Sequence, residues 1–180
     1  MTERRTWVAL LRGIGGATHA RMSMADLRHA ATAAGFEEVR TVLATGNLVF
    51  ASARPEAAIR SALEAVVADH GLTNAVILRD GAALGAIAGA NPFAEAARLR
   101  PAHVLVHFLA ELPAAGHEAR LAGYAGPEAV VPSGREVFID YVEGIGRSKL
   151  TAPRLERIFG VTGTARNWST LGRLIAAVES

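Results

Sequence analysis

The chain contains no cysteine. That absence excludes disulfides, thiolate zinc sites, iron–sulfur clusters and a cysteine nucleophile. It fits a reducing cytoplasm. Aromatic residues make up only 6% of the sequence, so few rings are on hand to stack on bases. Lysine is nearly missing: among 19 Lys and Arg residues, Lys149 is the one lysine. No apolar run approaches the roughly 18 residues of a membrane span. The opening MTERRTWVALLRG breaks its apolar stretch at Arg12, which is too early for a secretory leader. The expectation is a soluble, cytoplasmic protein with no membrane segment.

What is present points to a packed fold. The chain has 180 residues, room for one domain or two small ones. A chain of this size buries roughly 70% of the surface its unfolded form exposes. The 51% hydrophobic content is inflated by 37 alanines. With arginine dominant over lysine, that alanine content reads most simply as the mark of a GC-rich genome. Net charge is only +2, but it is unevenly placed. Residues 4–28 carry +4 and residues 147–173 carry +5. The remainder is acidic. Basic ends of this kind suit an anionic partner.

The order of elements repeats. Trp7–Leu11 reads as a strand, and Met24–Ala34 as a helix stopped by Gly35. Residues 38–44 and 48–51 read as strands joined through Thr45, Gly46 and Asn47, a hairpin signal. Pro55 opens a helix that runs to His70, and Ala75–Leu78 is a further strand. After Asn91-Pro92-Phe93, His103–Leu109 reads as a strand and Pro113–Ala122 as a helix. Strands at 128–131 and 137–141 follow, then helices at Thr151–Phe159 and from Trp168 to Val178. Thr151 caps the first of these, with Pro153 in its first turn. The fold expected is α/β, more strictly α+β. It consists of two ferredoxin-like β-α-β-β-α-β halves packed together, with an extra C-terminal helix. The halves are placed at 1–80 and 103–180, with 81–102 as the connecting segment.

Three groups of residues bear on chemistry. Arg12, Gly13, Ile14, Gly15 and Gly16 follow the first strand directly. Such glycines let backbone N–H groups converge on an anion, and they serve equally as a flexible connection. Thr18 stands where a dinucleotide fingerprint needs glycine, and no Gly-Lys-Ser/Thr follows. Thr45, Gly46 and Asn47 are either part of a site or turn chemistry alone. The third group is Gly146, Arg147, Ser148, Lys149, Leu150 with Thr164, Ala165, Arg166, Asn167, Trp168, Ser169, Thr170. Arg and Lys there suit phosphate, and Trp168 suits stacking. Helix capping by Thr164 or Asn167 with Trp168 in the core is the alternative. Metal binding is not expected, because His103 and His107 would lie about 13 Å apart along one strand. Glu37 and Glu38, adjacent in a strand, should face opposite ways.

The segments WVALLRGI, MADLR, GFEEVRTVLATGNLVF, Asn91-Pro92-Phe93, GRSKLT and TARNWST resemble the uncharacterised bacterial family called domain of unknown function 1697. The likeness runs through nearly the whole chain. It implies an α/β fold in two similar halves, and it implies no activity. The family's loop usually reads Arg-Gly-Ile-Asn-Val-Gly-Gly. Here Gly15 stands at the Asn, and Ala17 and Thr18 stand at the Gly pair. Thr45 replaces a Ser and keeps its hydroxyl.

The first functional reading is a binding module for a small phosphate-bearing molecule or nucleotide. Its site would comprise Arg12, Gly13, Gly15, Thr45, Gly46, Asn47, Arg147, Lys149, Arg166, Asn167 and Trp168. Nucleic acid is a less favoured partner, because an RNA-recognition signature is absent. Two alternatives stay open: an enzyme of unknown reaction using the same residues, and a structural or assembly protein with no ligand. Catalytic residues, cofactor and oligomeric state are not legible.

Overall fold

The computed structural model describes residues 3–180. The chain divides into two compact units. Unit 1 comprises residues 3–86 with Arg173–Ser180, and unit 2 comprises Ile87–Gly172.

Unit 1 is built on strands β1 (Arg5–Leu11), β2 (Glu37–Thr41), β3 (Asn47–Ser52) and β4 (Val76–Asp80). They form an antiparallel sheet in the order β2-β3-β1-β4. Helices α1 (Gly16–His19), α2 (Met24–Ala33) and α3 (Glu56–Asp69) connect them. The apolar stripe of α3, Ile59, Leu63, Val66 and Val67, packs with Leu27 and Ala31 of α2 onto Trp7, Ala9, Leu11, Leu48, Phe50 and Leu78. Burying each large apolar side chain of that set contributes about 1.5–3 kcal/mol. Ser23 starts α2 with a capping box, accepting from the Asp26 N–H while Asp26 accepts from the Ser23 N–H.

Unit 2 repeats the plan. Its strands are β5 (Val104–Leu109), β6 (Ala129–Ser133), β7 (Glu136–Asp140) and β8 (Gly163–Asn167), in the order β6-β7-β5-β8. Helix α4 (Gly81–Gly89) crosses the boundary between units, and α5 (Ala94–Leu99) follows it. Helices α6 (His117–Ala122) and α7 (Ala152–Phe159) lie within unit 2, and α8 (Trp168–Glu179) ends the chain. Leu155, Ile158 and Phe159 of α7 pack on Leu105, Leu109, Val137 and Ile139. Both sheets therefore have the split β-α-β order of a ferredoxin-like unit. Among the described residues, no helix is long and apolar enough to cross a membrane.

The repeat extends to single backbone bonds. In unit 1 the Leu11 N–H donates to Gly46 O and the Arg12 N–H to Ala75 O, at 2.8 and 2.9 Å. In unit 2 the Leu109 N–H donates to Arg135 O and the Ala110 N–H to Thr162 O, at 2.8 and 2.9 Å. In each case the donors end the first strand, and the acceptors immediately precede the third and fourth. Gly46 thus matches Arg135, and Arg12 matches Ala110.

Several expectations are corrected. Strand β8 went unseen because Gly163-Thr164-Ala165-Arg166-Asn167 has no apolar alternation. Its pairing with β5 makes it a strand. The stretch 81–102 carries α4 and α5. Helix α6 starts at His117 rather than Pro113, because Gly116 at φ +79° is left-handed and ends any helix upstream. Thr151 occupies the N-cap of α7 but makes no side-chain capping bond. Strand β2 stops at Thr41, before Leu43 at φ +60°. Glu37 and Glu38 do not diverge. Glu38 sits at φ +52° in a register shift, and the carboxylates of both bond Arg4 at 2.6 and 3.0 Å.

Two stability predictions follow from this backbone. Gly46 has φ +74°, and a Cβ there would fall 2.7 Å from Ile14 Cβ. Gly46→Ala should therefore lower unfolding stability by about 1–3 kcal/mol in urea titration, from strain and overpacking together. Leu43 is exposed and left-handed. Leu43→Asn should raise stability by about 0.5–1 kcal/mol, since asparagine tolerates that region.

Candidate functional site

The residues singled out by sequence fall in both units. In unit 1, Arg12 directly follows the first strand and is half-buried, with its carbonyl accepting from Asn74 Nδ2 at 2.7 Å. Gly13 lies at φ +67° beside Asn74. The Gly15 N–H donates to Thr18 Oγ1 at 3.0 Å, and the Thr18 hydroxyl donates back to Gly15 O at 2.9 Å. Thr18, one of the departures from the family loop, thereby occupies the backbone donor that an anion would use at Gly15. Asn47 is fully buried, and its Nδ2 donates to Val42 O and Thr45 Oγ1, each at 2.9 Å. These bonds close the β2–β3 connection.

In unit 2, Arg166 lies in β8 at 8% exposure. Its guanidinium donates to Thr164 Oγ1 and Ala165 O, both at 2.8 Å. Burial lowers its pKa to about 10, still far above neutrality, so the charge persists. Asn167 Oδ1 accepts from the Thr170 N–H at 2.9 Å, which caps the first turn of α8. Trp168 is half-buried, and its backbone N–H donates to Pro101 O at 3.1 Å.

Arg147 and Lys149 are placed differently. They line a cavity of about 250 Å3 with Tyr124, Gly126, Glu128, Glu143 and Ser148. Two segments build it. One is the glycine- and proline-bearing link after α6, Gly123 to Glu128. The other is the link after β7, which includes a single 3-10 turn at Ile145–Arg147. Neither the Arg147 nor the Lys149 side chain has a hydrogen-bond or ion-pair partner among the described residues.

Glu128 organises the cavity wall. Its Oε2 accepts from Tyr124 Oη at 2.6 Å, and its Oε1 accepts from the Ser148 hydroxyl. The Leu150 N–H donates to Ser148 Oγ at 2.9 Å. Arg154 sits 4.8 Å over the Tyr124 ring. Gly126 leaves room for this pair: a Cβ there would fall 2.5 Å from Glu128 Oε2 and from Tyr124 Cζ, and the two side chains would have to shift. Burial pushes the Glu128 pKa up, but the Ser148 and Tyr124 hydrogen bonds and the Arg154 charge prevail, holding it below 4.5. Burial and the Glu128 carboxylate raise Tyr124 above 10.0, and Tyr141 rises to about 12, chiefly through burial. A second cavity, about 220 Å3, lies on the Arg154 side of Tyr124 and is lined by Arg120, Arg154, Arg157 and Ile158.

The sequence singles out Arg147 and Lys149 as phosphate-suited residues, and it does not single out Tyr124 and Glu128, which line the same cavity. The available signal was a tyrosine and a glutamate four apart around Gly126-Pro127, in a stretch otherwise made of small residues. Among the described residues, no group of three or more His, Asp or Glu side chains gathers as a metal site needs.

A depressed carboxyl stabilises the fold above its unfolded pKa and loses that contribution as pH falls through the folded value. Wild type should therefore exceed Glu128→Gln in urea stability near neutral pH. The gap should close as pH falls below the ordinary glutamate value of 4.5. A gap independent of pH would remove this role for the charge.

Among curated proteins, none matches the chain significantly. Among solved structures, the chain is similar to the conserved bacterial protein SP0830 from Streptococcus pneumoniae. The TM-score is 0.77 at 21% identity, covering 99% of this chain and 100% of that one. At that identity the likeness speaks for the fold, two four-stranded antiparallel sheets with helices. A family model described as "Protein of unknown function (DUF1697)" matches residues 4–138, a span that includes Tyr124 and Glu128 and ends before Arg147. The chain belongs to that family, DUF1697.

Proposed function

We propose that unit 2 binds a small phosphate-bearing ligand in the cavity between Tyr124 and Lys149. The observation that carries this reading is the pairing state of the charges. Arg147 and Lys149 reach the cavity with no protein partner. Glu128, the carboxylate built into the wall, already accepts two hydroxyls, so it competes weakly for a cation. Across Tyr124, Arg120, Arg154 and Arg157 add positive charge. Against these five cations stand Glu128 and Glu143. An excess of cations around a recess raises the local concentration of anions.

Size supports a small ligand. Sites for drug-sized molecules run about 300–1,000 Å3, and this cavity is about 250 Å3. A phosphate monoester of a small molecule, or the phosphate end of a mononucleotide, suits it better than a dinucleotide does. The absence of cysteine agrees with a cytoplasmic setting, where such phosphates abound. Arg166, Asn167 and Asn47 are engaged in bonds within strands, caps and turns, so the reading rests on Arg147 and Lys149.

Titration calorimetry with inorganic phosphate, a sugar phosphate and a nucleoside monophosphate tests this. Saturable, salt-sensitive binding is expected with at least one of them. Arg147→Ala and Lys149→Ala should each weaken it by about 1–3 kcal/mol, the value of a charge-assisted bond. Binding untouched by both substitutions would move the ligand elsewhere, and a flat panel with folded protein would end the proposal.

A further inference from the structure

The geometry points to a catalytic role for this cavity: Ser148 is a nucleophile, Glu128 its general base, and a phosphate monoester the substrate. The inference rests on the phosphate-binding reading and goes a step beyond it. Its basis is the arrangement Ser148–Glu128–Tyr124. A serine is a poor nucleophile unless a base takes its proton, and that base works best when a third group fixes its orientation. Here the Ser148 hydroxyl donates to Glu128 Oε1, and Tyr124 Oη fixes Oε2 from the other side at 2.6 Å. The Leu150 N–H donates to the serine oxygen at 2.9 Å, where it offsets the charge that appears as Ser148 loses its proton to Glu128. Arg147 and Lys149 flank Ser148 on the same segment and line the same cavity. They are placed to neutralise the phosphoryl oxygens.

A purely structural serine would explain the bond to Leu150. It would not explain a carboxylate held between two hydroxyls at the wall of a cationic recess. The Ser148 and Tyr124 hydrogen bonds hold the Glu128 pKa below its ordinary value, so the base is ionised across the neutral region.

The reaction balances without a redox partner. Ser148 Oγ attacks phosphorus, and its proton passes to Glu128. The bond from phosphorus to the ester oxygen breaks, and Glu128 returns the proton to the departing alcohol. Water then attacks the phosphoserine. Glu128 takes a proton from that water and delivers it to Ser148 Oγ as inorganic phosphate leaves. The co-reactant is water.

The test uses the full chain with an aryl phosphate, a sugar phosphate and a nucleoside monophosphate. Phosphate release is followed alongside the mass of acid-quenched protein. The expected result is phosphate release together with one added phosphoryl group mapped to Ser148. Ser148→Ala should abolish both. Glu128→Gln should slow release by about 10²–10⁴-fold, the range of a general base, while calorimetry shows phosphate still bound. The rate should hold as pH falls to the ordinary glutamate range and decline only below it. Release that survives in Ser148→Ala overturns the inference. So does intact phosphate binding with no release from any ester, and that outcome leaves the binding proposal standing. Absence of phosphate binding in wild type overturns both.

Discussion

Strands β1 and β5 each carry a hydrogen-bonded neighbour on both sides, and nearly all their residues are buried. A buried backbone group without a partner costs about as much as a lost hydrogen bond. Each first strand must therefore find two partners that come later in the chain. The split β-α-β order is the route that supplies them, with a hairpin on one side and a returning strand on the other. Where the first strand ends, the same two bonds close the sheet in both units: Leu11 and Arg12 in one, Leu109 and Ala110 in the other. The requirement holds whatever side chain stands there, so arginine in one unit can match alanine in the other. This gives a physical account of why the halves share a plan with little likeness in sequence.

The halves differ in how much helix covers the sheet. In unit 1 the two crossover helices have 10 and 14 residues, and in unit 2 they have 6 and 8. A helix advances 1.5 Å per residue, so α6 leaves uncovered the space that a helix like α2 would fill. The chain fills part of it with the Gly123–Glu128 link. Such a link has no ladder of its own, and side-chain bonds must hold it. Tyr124 and Glu128 supply them, reaching Ser148 on the next connection. The cavity and the network thus have one origin, a shortened helix.

The architecture was legible in the sequence where apolar periodicity was strong. Ile59, Leu63, Val66 and Val67 announced α3, and the Gly46-Asn47 pair announced the hairpin. Legibility failed where tertiary pairing decides. Strand β8 has no pattern of its own, since β5 imposes extension on a segment containing glycine and a buried arginine. The facing of Glu37 and Glu38 depended on a left-handed residue that no alternation rule anticipates. At the cavity, Arg147 and Lys149 were visible because two cations on either side of one serine stand out. Glu128 was not, because its importance comes from two hydroxyls that the fold brings from either side.

Charge along the chain is also a poor guide to charge that can bind. The basic N-terminal stretch looks as favourable as the C-terminal one when residues are counted. In the fold, Arg4 is paired with Glu37 and Glu38, Arg5 lies 3.5 Å from Asp80, and Arg21 donates to Gly71 O. Arg166 spends its donors inside the second sheet. What separates Arg147 and Lys149 from these is that neither side chain has a hydrogen-bond or ion-pair partner among the described residues. A strand residue has a cross-strand neighbour within about 5 Å, and a long basic side chain there readily finds an acceptor. On the 144–150 connection no such neighbour meets Arg147 or Lys149, so their charges stay open to a ligand. The anion binding proposed for unit 2 therefore rests on its irregular segments, which follow its short helices.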